Sequence, residues 1–174
     1  MDCPTSPISR KALLYADAGH GIASSGVHTG SVTEYLPNAC LALGRIADEI
    51  AVGDPSGHDF LLELGYRVAG IPRNWHAWAV LAVGGRSRIK GGGFREDLDD
   101  GTDGQARHFA GTARAVTLLG ERVTLRLSVA ARRDPENSPD GRLTRLAVEF
   151  AAALLDGSLP AAQAGDWIRS HVCA

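Results

Sequence analysis

The chain has 174 residues, 44% hydrophobic and 22% charged, with a formal net charge of −2. That length suits one domain with a substantial core, and the balance of apolar and charged residues excludes wholesale disorder. A charge so near zero gives no electrostatic reason to favour nucleic acid or an anionic membrane, and no segment approaches the ~20 apolar residues that span a bilayer.

The cations are nearly all arginine, with Lys11 and Lys90 the only lysines, and alanine and glycine are abundant. This reads as the coding bias of a GC-rich bacterial genome rather than an arginine-dependent function. Residues 1–36 read as a flexible N-terminal arm, because Pro4, Pro7 and the Gly19–Gly30 stretch supply turn formers without an apolar period. Its histidines, His20 and His28, lack a third metal ligand at a recognisable spacing, and Ser24 lacks the first glycine of a nucleophile elbow. Arg10-Lys11 before Ala12–Ala16 mimics a signal peptide, but Asp17 interrupts the apolar run short of the ~7–15 residues required. The expected compartment is the cytoplasm, with signal-independent export as the alternative.

Residues 37–174 read as the helical domain. Leu43, Ile46, Ala47 and Ile50 form one stripe at spacings of three and four, after Pro37 and before the stop at Gly53-Asp54-Pro55. Phe60, Leu61, Leu64, Val68 and Ile71 repeat the pattern, closed by Gly70 and Pro72. Glu63 inside this element reads as a solvent-facing glutamate, with the catalytic acid of a helical lysozyme-like fold as its alternative. Asn74 is a suitable cap for the short apolar element over 74–83, where Trp75 and Trp78 lie three apart. Both tryptophans are expected in the core, the alternative being the aromatic wall of a binding pocket.

Gly84 to Gly93 holds three cations among its glycines, but Lys90 precedes the second glycine cluster and no Ser or Thr follows, so the Walker pattern is not met. A basic, flexible connector is expected. Then comes Asp97-Leu98-Asp99-Asp100-Gly101-Thr102-Asp103-Gly104-Gln105-Ala106-Arg107-His108-Phe109, where acids, a histidine and an arginine fall together. As a calcium loop starting at Asp99 it fails, because its twelfth position is Ala110 where the motif needs a bidentate glutamate. As a helix start it is strong, with Asp103 or Thr102 as cap, Asp103 pairing with Arg107, and His108 bonded to a neighbouring loop. As a site it offers His108, Arg107 and Asp103 for acid–base work on a bound anion, with Asp99, Asp100, Gln105, Trp75 and Trp78 as candidate binding residues.

Phe109, Ala113, Val116, Gly120, Val123, Leu127 and Ala130 continue as a heptad-like seam through 103–133, in which Gly120 marks a kink or break. Residues 121–131 also alternate as a strand would; helical neighbours favour helix. A turn over 134–141 precedes a helix carrying Leu143, Leu146, Phe150, Ala153 and Leu154, closed by Gly157, and a last element from Pro160 to Val172 anchored by Trp167 and Ile168. The cysteines, Cys3, Cys40 and Cys173, show no zinc spacing and are expected as free thiols, one disulfide tying an end of the chain being the alternative.

Together these readings predict a mainly α, single compact helical domain of five or six helices behind the arm. No cofactor or metal is implied. The leading functional expectation is a non-catalytic interaction or regulatory module of bacterial, effector-associated type, with another protein as partner, nucleic acid disfavoured and oligomeric state open. The alternative is a small, toxin-like hydrolase of phosphoesters or nucleic acid using His108 with Arg107 and an aspartate.

Overall fold

A computed structural model describes residues 38–132 and 137–174, with backbone alone for 129–132. The arm expected over 1–36, with His20, Ser24, His28 and Cys3, lies outside the described residues. The fold is mainly α: α1 Ala39–Ala51, α2 Gly57–Ala69, α3 Ala77–Ala82, α4 Gln105–Leu119, α5 Glu121–Arg132, α6 Pro139–Asp156 and α7 Ala164–His171. A 3₁₀ turn, Ala161–Gln163, leads into α7. Residues 121–132 are helix, and the alternation that suggested a strand does not form one.

Local chemistry accounts for the ends of these helices. The Asn38 side chain accepts from the Leu41 amide at the start of α1, and Ser56 from the Asp59 amide at the start of α2. Gly70 and Gly157 take left-handed conformations that close α2 and α6, as their positions predict. The stripe of α1 is buried in full, as are Phe60, Leu61, Leu64 and Val68 of α2. Helix α4 runs between α2 and α6, α5 packs on α4 and α6, and α1 lies against α2 and α7. Phe150 is the aromatic centre, with ring centroids 5.3 Å from Phe109, 5.1 Å from Trp167 and 6.2 Å from Phe60.

The seam predicted over 103–133 is two helices. Gly120 adopts φ 74° and ψ 164°, a conformation outside helix, and the chain turns there. Phe109, Ala113 and Val116 before the break are buried, while Val123 and Leu127 after it are 44% and 48% exposed. The turn resets the rotation of the helix, so Thr124 becomes the buried residue among the described side chains of α5.

Two further expectations are corrected. Cys40 and Cys173 are joined in a disulfide, with Cα atoms 5.5 Å apart, and so are not free thiols. Residues 84–93 are not a loose connector: the Arg86 and Arg88 amides donate to the Ala69 and Val68 carbonyls, and Gly92 accepts from the Ala39 amide at 2.9 Å. A side chain at Gly93 would place Cβ 2.1 Å from Asn38 Oδ1, so glycine there lets the strap cross the start of α1. The strap then pairs with the C-terminal segment, as Phe94 bridges Cys173 and Gly93 accepts from the Ala174 amide.

Candidate functional site

The loop between the strap and α4 is built by its own acids. Asp99 accepts from the Gly101 amide at 2.8 Å, and Asp100 from the Thr102 amide at 2.9 Å and hydroxyl at 2.7 Å. These turns engage one oxygen of each carboxylate that was expected to bind a ligand. Helix α4 begins after Gly104 with no side-chain cap, so neither Asp103 nor Thr102 caps it. Asp103 is exposed and forms no ion pair with Arg107, whose guanidinium instead folds back over Gly104. Gln105 is buried at 1% exposure, and its amide donates to the Leu98 carbonyl at 2.6 Å, tying loop to helix.

His108 therefore parts company with the aspartates beside it in sequence. It is 5% exposed and turned toward α6. Its Nε2 lies 2.8 Å from Thr144 Oγ1, and its Nδ1 lies 3.6 Å from Asp140 Oδ2, too long for a hydrogen bond but close enough for an ion pair once the imidazole is protonated. Its contacts with described residues are to a helix, α6. Asp140 sits in the first turn of α6, where the Ser138 hydroxyl accepts from the Gly141 amide and the helix dipole favours a carboxylate. Arg142 fixes this end of α6 by donating to the Asp97 carbonyl at 2.7 Å. From Thr144 the contacts continue to Ser128 Oγ on α5, 3.4 Å away.

This chain of groups opens on a cleft of about 560 Å³ between α3, α4 and α5. Its walls are Ile71, Trp78, Leu81, Val83, Leu119 and Leu127, and its polar lining is Arg107, His108, Thr112, Thr124 and Ser128. Thr124 spends its hydroxyl proton on the Gly120 carbonyl at 2.8 Å. Trp78 is 51% exposed at the cleft wall, and Trp75 is 78% exposed and stacked on His76 at 3.8 Å, so neither tryptophan packs in the core. The six-residue α3 buries Ala77 instead, because Asn74 turns the chain by accepting from the His76 amide one turn before the helix begins.

The structure thus brings together Arg107, His108 and Trp78 of the predicted residues at one cleft, and leaves Asp99, Asp100, Asp103, Gln105 and Trp75 outside its lining. Asp140, Thr144 and Ser128 were missed. Their signal is a spacing of four: His108 and Thr112, Thr124 and Ser128, Asp140 and Thr144 each share one face of a helix, and the three faces converge. Glu63 takes no part, being paired with Arg73. Among the described residues, no three His, Cys, Asp or Glu side chains are placed to hold a metal ion. No helix among them is long and apolar enough to cross a membrane. No family model, curated protein or solved structure matches the chain.

Proposed function

We propose that the protein is a small hydrolase in which His108 is the general base, working at the inner end of the cleft on a compact, largely apolar substrate. The observation that carries this reading is the imidazole held between a carboxylate and a hydroxyl where it lines an open cleft. A proton on Nδ1 faces Asp140, which leaves Nε2 to take one from Thr144, and the carboxylate then stabilises the imidazolium. Arg107 is the one always-charged side chain among the described lining residues. Such a site suits a neutral ester or a singly charged substrate better than the repeating phosphates of a nucleic acid.

The test is initial-rate hydrolysis of short and medium p-nitrophenyl carboxylates, with bis-p-nitrophenyl phosphate beside them. Turnover of the carboxylates is expected, falling by about 10²-fold or more in His108→Ala while the helical circular dichroism is kept. No turnover of either class, or equal rates in the variant, overturns the reading.

The non-catalytic module is supported by a different observation. Trp75, Trp78 and Val83, at 78%, 51% and 80% exposure, make an apolar rim that a partner protein could cover. On that reading Trp75→Ala/Trp78→Ala loses partner binding while His108→Ala keeps it. In either case the Cys40–Cys173 disulfide favours action in an oxidising compartment over the cytoplasm. Maleimide labelling of the protein, unreduced and without reductant in the buffers, should then modify neither cysteine.

A further inference from the structure

Building on the hydrolase reading, we infer that Ser128 is the nucleophile, activated by His108 through the hydroxyl of Thr144, and that the substrate is a carboxylic ester with an apolar acyl group. The geometry separates the base from the nearest cleft serine by one hydroxyl. His108 Nε2 is engaged by Thr144 at 2.8 Å, and Thr144 is 4% exposed and absent from the cleft lining. Ser128 does line the cleft, with its Oγ 3.4 Å from Thr144 Oγ1. Thr124, one turn earlier on the same helix, has its proton committed to the Gly120 carbonyl. Ser128 is thus the cleft hydroxyl in contact with the imidazole relay.

The step balances without a further reactant except water. Ser128 Oγ bonds to the ester carbonyl carbon while its proton passes to Thr144 Oγ1 and the Thr144 proton passes to His108 Nε2. Collapse of the tetrahedral adduct breaks the bond to the alcohol, which leaves with a proton returned through Thr144. Water then attacks the Ser128 ester by the same route, releasing the carboxylic acid and restoring the serine. The walls supplied by Ile71, Trp78, Leu81 and Leu127 accommodate the acyl chain. Thr144 acts through Ser128 and is a positioning and relay residue.

The experiment is labelling of the full, oxidised chain with an alkyl fluorophosphonate, followed by peptide mass spectrometry and paired with the ester assay. One adduct is expected, on Ser128, forming at least ~10²-fold more slowly in His108→Ala and in Thr144→Val, and recovering in Thr144→Ser, which restores the hydroxyl without the methyl. Ser128→Ala should lose ester turnover with its thermal midpoint unchanged. An adduct on Thr144 or Thr112, or turnover that survives Ser128→Ala, overturns the assignment while leaving His108 as base. Absence of ester turnover by the wild-type protein overturns both.

Discussion

Where α1 meets α7, polar side chains close the fold; around the cleft, they are drawn into it. In the first region Arg169 grips Asp48 at 2.8 and 3.1 Å and Asp166 at 2.7 Å, and the bond to Asp48 above all holds its guanidinium further above its ordinary pKa. Gly44 and Gly165 let the two helices approach so closely that a Cβ at Gly165 would lie 1.8 Å from Asp48 Oδ1. The Cys40–Cys173 disulfide closes the same region across a separation of 133 residues. Around the cleft, His108, Thr112, Thr124 and Thr144 are buried, while Trp78, Val83 and Leu127 are exposed. That inversion of the usual burial order costs stability, and functional sites are where such costs are tolerated. One region closes the fold, and the other is where the proposed chemistry would take place.

The contrast can be broken most directly at the disulfide. Replacing both Cys40 and Cys173 by serine should cost up to about 5 kcal/mol in denaturant unfolding, the chain-entropy scale for so long a loop, while ester turnover of the remaining folded protein stays within twofold. Gly165→Ala comes next, with a loss of about 1–3 kcal/mol from forcing α1 and α7 apart, read by thermal melting. A melt no lower than wild type would show that the close approach is dispensable. His108→Ala should lose less than the disulfide variant, about 1–3 kcal/mol for the polar groups it leaves behind, yet abolish turnover. A stability loss at His108 as large as that of the disulfide variant, or full turnover in His108→Ala, would remove the distinction between the regions. The smallest change is expected at Trp78→Ala, within about 0.5 kcal/mol in stability and visible mainly as a raised KM for longer acyl chains.

Much of the core was legible in sequence, and little of the clamp's contacts or of the cleft. The stripe Leu43, Ile46, Ala47 and Ile50 points inward because any helix with that spacing has one apolar face, whatever it packs on. Gly70 and Gly157 could be read as stops because left-handed termini have a local chemical cause. His108 was legible as a candidate residue but not its partners. Local reasoning gave it Asp103 and a nearby loop, whereas Asp140 and Thr144 reach it only once α4 and α6 are side by side. Trp75 and Trp78 misled because hydrophobicity favours burial in general, but a helix as short as α3 has room for one inward side chain and Ala77 takes it. The cysteine pairing had no sequence signal, since it depends on the strap along Gly91–Phe94 carrying the C-terminal segment back to α1.

Gly120 has a reach beyond ending α4. The wall of the cleft that carries Leu127 and Ser128 follows directly from this one residue, and a Cβ built there meets nothing within 4 Å. A larger side chain would fit in space but not in torsion, because φ of 74° is a conformation that L-residues resist. That single backbone position, with the packing of α5 on α4 and α6, directs the helix that carries Ser128 toward Thr144. On the hydrolase proposal the link is a joint: the backbone position that shapes the opening for a substrate also shapes the proposed proton path.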